Sequence, residues 1–116
     1  MFENKLILEC ESKIDIIEIS KITCITTDSY KTVIHLADNL KYYSNKSLNF
    51  LESALPSTFI RVNRNSIVNI EYVKNINKTN RIVQIESDIF LCASTRQIRS
   101  LINRFKELSA RSTQNS

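Results

Sequence analysis

With 116 residues, 42% of them hydrophobic, and no run long and apolar enough to span a bilayer, the chain suits one self-folding domain. Glycine is absent, which excludes every glycine-rich phosphate loop, and one histidine with three scattered cysteines leaves neither a zinc set nor a catalytic constellation. The formal charge of +4 is unevenly spread: residues 1–28 hold three Lys against six acids (−3), and the rest hold thirteen Lys or Arg against six acids (+7). A basic body of this kind points to an anionic partner such as nucleic acid, and no enzyme activity, metal or cofactor is expected.

The opening "MFENKLILECESK" carries acidic residues and lacks the charged-then-apolar layout of a signal peptide, so a cytoplasmic protein is expected. "KLILEC" and "KIDIIEI" read as strands around the polar "ESK", "ISKI" as a helical turn, and "TCITTD" as a further strand. "KTVIHLA" and "LKYYS" flank Asp38-Asn39, a two-residue hairpin signal. His35, between Ile34 and Leu36, reads as a structural or surface residue. "KSLNFLESAL" sets Leu48, Leu51 and Leu55 on one helical face, and Pro56 ends it.

"FIRVNRNSIVNI", residues 59–70, begins as an alternating strand, is interrupted by polar residues, and turns apolar again. It is either a strand pair with an ordinary polar turn or an exposed tip built to hold an anion. In the second reading Arg64 and Asn65 are the donors, while Arg61 is expected to be partly buried with a carboxylate partner. "NRIVQIES" and "IFLCA" form another hairpin around Ser87-Asp88.

In "STRQIRSLINRFKELSA", Ile98, Leu101, Ile102, Phe105 and Leu108 keep helical spacing, and Ser94 with Gln97 makes a capping box. The tail beyond it is expected to be disordered. Cys10, Cys24 and Cys92 have apolar neighbours and are expected as buried, reduced thiols in strands. The predicted fold is mostly β, with six to eight short strands, one short helix and a C-terminal helix, and its turns rely on Asn, Asp and Ser.

Two further places invite a binding role. Arg96 falls in the first turn of the last helix, where a cation costs about 0.3–1 kcal/mol against the helix dipole unless an anion binds there. In "TDSYKT", Tyr30 beside Lys31 could touch a base and a phosphate together, or Tyr30 could simply pack.

Taken in order, "SYK", "VIHLADNLKYY", "SLNFLESALPSTFIRVNRNSIVNIEYVKNI" and "CASTRQIRSL" resemble the LytTR family, the mostly β DNA-binding domain of many bacterial response regulators. The most specific part is "FIRVNRNSIVNIEYV", close to the family's Phe-x-Arg-x-His-Arg-Ser-aromatic-x-Val-Asn. Asn63, Asn65 and Ser66 depart from it, standing where the pattern has His, Ser and an aromatic. The resemblance implies a LytTR-like arrangement of short, largely antiparallel strands and hairpins over residues 14–109, with 1–13 an N-terminal extension and 110–116 a disordered tail.

The same resemblance implies that loops, not a recognition helix, enter the major groove. By position it gives base contacts to Arg96 and Tyr30, and backbone contacts to Lys31, Asn63, Arg64, Asn65, Ser94 and Thr95. An arginine there pairs with guanine O6 and N7. The implied partners are duplex DNA at tandem sites, a second copy on that DNA, and a receiver or sensor that this chain does not contain. The chain would be free-standing or excised from a longer regulator. The expected function is sequence-specific transcription regulation. The alternative is a protein- or RNA-interaction module on the same fold; an exposed aromatic set would favour RNA, and Tyr42, Tyr43 and Tyr72 do not form one.

Overall fold

The computed structural model describes residues 4–29, 31–86 and 88–112. Strands β1 (Lys5–Glu9) and β2 (Ile14–Glu18) form a separate antiparallel hairpin, followed by a 3-10 turn over Ile19–Lys21. A five-stranded sheet is built from β3 (Ile22–Asp28), β4 (Lys31–Leu36), β5 (Lys41–Ser44), β6 (Phe59–Asn63) and β7 (Ser66–Asn69) in the order β5-β4-β3-β7-β6. Helix α1 (Leu48–Ala54) connects β5 to β6. After a 3-10 turn at Ile70–Tyr72 come β8 (Val73–Asn77), β9 (Ile82–Ile85) and β10 (Ile89–Cys92), a three-stranded meander, and then helix α2 (Thr95–Ser112). Every pairing is antiparallel.

The five-stranded sheet is covered on both faces, because alternate side chains of a strand point to opposite sides. Ile25 and Ile67 join one core with Leu6, Leu8 and Ile17 of the first hairpin and Leu48, Leu51 and Leu55 of α1. Their neighbours Cys24 and Val68 join a second core with Val83, Ile85 and Leu91 of the meander and Ile98 and Leu101 of α2. That double burial explains the near-continuous apolar reading of "ITCI" and the complete burial of "SIVN" in strands that are not parallel.

Local signals behave as expected at most joints. The Ser47 hydroxyl caps α1 by accepting from the Phe50 N–H at 3.0 Å, and the helix stops before Pro56. Ser94 caps α2: its hydroxyl accepts from the Gln97 N–H at 3.2 Å and its carbonyl from the Ile98 N–H at 2.9 Å. Among the described residues, Ser29, Asn39, Arg81 and Asp88 have positive φ, so the glycine-free turns use Ser, Asn and Asp, with Arg81 the exception.

Three expectations change. There are ten strands among the described residues, more than the six to eight foreseen. Of the three thiols only Cys24 is buried; Cys10 and Cys92 are exposed. Cys10 lies just past the last paired residue of β1, and Cys92 shares the outward face of β10 with the exposed Phe90. Helix α2 runs to Ser112, into the segment expected as a tail from Ala110; residues 113–116 lie outside the described ones, as does Ser87 of the second hairpin.

Candidate nucleic-acid interface

Antiparallel pairing brings the chain's candidate loops to one end of the molecule. In the β3–β7 pair Thr26 stands opposite Ser66, so the end of β3 meets the start of β7. One residue further, the Thr27 N–H donates to the Asn65 carbonyl at 3.0 Å, and the Thr27 hydroxyl donates to Asn65 Oδ1 at 3.3 Å. The β3–β4 loop and the β6–β7 turn are thereby tied together.

A second tie joins that turn to the segment leading into α2. The Ser94 N–H donates to the Val62 carbonyl at 3.2 Å, and Asn63 Nδ2 donates to the Cys92 carbonyl. Asn63 Oδ1 also accepts the Asn65 N–H at 2.6 Å, which closes the turn on itself. Three segments distant in sequence therefore form one bonded rim.

The candidate residues distribute over this rim unequally. Lys31, Arg64, Asn65, Ser94, Thr95 and Arg96 are exposed, while Asn63 is half-buried and engaged with Cys92 and Asn65. Lys31 starts β4, and its ammonium lies 5.9 Å from the centre of the Tyr43 ring. Arg96 follows Thr95, the first residue of α2, and the first turn holds no acidic residue. Tyr30, the other expected base contact, lies outside the described residues.

Arg61 is not part of the exposed set. Its Nε donates to the Asn63 carbonyl at 3.1 Å and its Nη2 to the Arg64 carbonyl at 2.7 Å. Its Nη1 reaches Asn49 Oδ1 at 2.9 Å and Glu52 Oε1 at 2.8 Å on α1. The partial burial and the carboxylate partner expected for it are both present. This side chain clamps the turn from beneath.

Sequence reasoning missed the contribution of the β5–α1 connection. A polar cleft of about 390 Å³ runs between the loops and the start of α1, and its lining includes Lys31, Asn45, Lys46, Asn49 and Arg64. Lys46 is held by its backbone: its N–H donates to the Ser44 hydroxyl at 3.0 Å and its carbonyl accepts from Thr32 at 2.7 Å. "SNK" directly before the Ser47 cap was the available signal, a cation anchored beside a helix start.

His35 is half-buried against the Thr26 hydroxyl at 3.0 Å, and burial first, then nearby Lys41, hold its pKa below the usual 6.5. Among the described residues no group of three or more His, Cys, Asp or Glu is placed to hold a metal ion. No helix there is long and apolar enough to cross a membrane.

The sequence model of the LytTr DNA-binding domain matches residues 12–106, most of the chain. The chain belongs to the LytTR family. This chain is therefore a LytTR DNA-binding domain. Among solved structures it is similar to the LytTr domain of a methyl-accepting/DNA response regulator from Bacillus cereus. The TM-score is 0.67 at 22% identity, covering 90% of this chain and 95% of that one, so what the two share is the fold. A search of curated proteins found no match.

Proposed function

We propose that this LytTR domain is a sequence-specific transcriptional regulator that places its three rim loops in the major groove of duplex DNA. The observation that carries the reading is the bonded rim itself: the β3–β4 loop, the β6–β7 turn and the start of α2 are fixed side by side. In this reading Arg96 pairs with guanine O6 and N7, and Tyr30 makes a second base contact. Lys31, Arg64, Asn65, Ser94 and Thr95 hold the backbone, joined by Lys46 across the cleft. Two copies occupy tandem sites, responding to a receiver or sensor supplied by another domain or chain, in the cytoplasm.

The described aromatic residues do not favour an RNA-binding module. Tyr42 donates to Asp15 and Tyr72 to the Ser20 carbonyl at 2.6 Å, so both are spent within the fold. The exposed Tyr43, Phe50 and Phe90 lie on three different elements.

Selection of the purified chain against a random duplex library tests the reading, with an enriched motif as the expected result and no enrichment as the refuting one. On the selected duplex, Arg96→Ala is expected to lower discrimination between matched and mismatched guanine positions by about 10-fold or more, within the range of one bidentate contact. Lys31→Ala is expected to weaken all duplexes alike. Uniform weakening by both substitutions would remove base reading from Arg96.

A further inference from the structure

We infer that Asn63 is a positioning residue for sequence readout, holding the Arg96 segment in register with the Arg64–Asn65 turn. The inference rests on the DNA-binding reading above and changes the role that resemblance alone implies for Asn63, which is a phosphate contact.

Asn63 ends β6 where the pairing with β7 slips, between Arg61 and Asn63. A slip of this kind re-aims a side chain at the edge of a ladder. Here the amide bridges two loops: Nδ2 donates to the carbonyl of Cys92, 29 positions away, and Oδ1 accepts the Asn65 N–H. The amide's orientation is chemically forced. A backbone carbonyl only accepts and a backbone N–H only donates, so the flipped amide would lose both bonds.

The bond lands on the right segment for a positioning role. Cys92 ends β10, the buried Ala93 and the cap Ser94 follow, and α2 with Arg96 begins next. Beside it the Ser94 N–H is already fixed to the Val62 carbonyl. The end of β6 therefore grips the base of the Arg96 segment twice, through one backbone and one side-chain bond. A readout contact needs its side chain held to within about 0.5 Å. The Asn63 amide adds a side-chain bond to the two backbone bonds already on this segment, Ala93 N–H to the Arg81 carbonyl at 2.9 Å and Ser94 N–H to the Val62 carbonyl. Lys31 and Arg64 are exposed cations better suited to gripping phosphate than a half-buried neutral amide.

The test compares wild-type, Asn63→Ala, Arg96→Ala and the double variant on the duplex selected from the random library and on a scrambled duplex of equal length. The readout is the ratio of the two affinities. The expected result is that Asn63→Ala lowers this ratio by about 10-fold, while adding it to Arg96→Ala changes the ratio by less than about 2-fold, because the two residues act through one contact. Asn63→Asp keeps the shape and the Asn65 bond but removes the donor to Cys92. It lowers the ratio similarly, and its charge cancels between the two duplexes, so it carries the test if the alanine variant does not fold. Equal weakening on both duplexes, or an unchanged ratio in either single variant, overturns the inference. A wild-type chain that shows no preference overturns the DNA reading itself, and the inference with it.

Discussion

Arg61 and Arg64 stand three positions apart in one hairpin, and the backbone sets them in different surroundings. Arg61 meets two turn carbonyls, Asn49 and Glu52, which occupy the planar fork of its guanidinium. Arg64 stays exposed at the tip. The burial of Arg61 was legible because a charged residue at a core-side strand position needs a partner. Glu52 as that partner was not, since it reaches across from a helix. The cysteines were read less well: apolar neighbours suggested burial for all three, but a residue's own face, not its neighbours, decides exposure. Burial pushes the Cys24 thiol up to about 11, partly offset by a hydrogen bond with Thr23, whereas Cys10 and Cys92 face solvent. With a thiol-reactive chromophore at pH 8, Cys10 and Cys92 are expected to react in the folded protein and Cys24 only after denaturation. Rapid modification of Cys24 without unfolding would contradict the packing of the second core.

At the scale of elements, α1 has seven residues, too few to persist without tertiary support. Leu48, Leu51 and Leu55 bury its apolar face, and Arg61 ties its polar face to the β6–β7 turn. Arg61→Ala is expected to lower stability by about 2 kcal/mol, read as a shift in the urea midpoint at unchanged slope. Most of that loss comes from the two turn carbonyls, because the Glu52 carboxylate is 45% exposed and water screens its ion pair. An unchanged midpoint would mean that the turn holds itself. The C-terminal helix was legible at its start, through spacing and cap, and so were the β4–β5 and β9–β10 hairpins. Strand β8 was not: its pairing shifts between Val73 and Asn75, which breaks the alternation that marks a strand. Its apolar residues, Val73 and Ile76, therefore fall out of step.

Over the whole molecule, charge is divided by position. The acidic excess belongs to residues 1–28, and the rim carries Lys31, Lys46, Arg64 and Arg96. If Lys31, Lys46 and Arg64 each neutralise one phosphate, log affinity falls against log salt with a slope of about −3. Lys46→Ala is expected to flatten that slope by about 0.9. Lys21→Ala, at the opposite end of β3 and paired with Glu18, is expected to leave it unchanged. Equal effects of the two substitutions, measured by titration at several salt concentrations, would detach Lys46 from the interface. The family and the rim loops were legible from ordered motifs; the cleft with Lys46 was not, because it forms only when β5, α1 and the β6–β7 turn meet in space.

The five-stranded sheet with a core on each face has one more consequence. Sliding β3 by a single position would exchange Cys24 for Ile25, so both cores would lose their fit at once. Strand register is thus locked from two sides, and the height of every rim loop is locked with it. The Lys31, Arg64 and Arg96 side chains face solvent and take no part in that lock. Such a scaffold works as a jig: substitutions at the tips are expected to leave the frame that presents them unchanged.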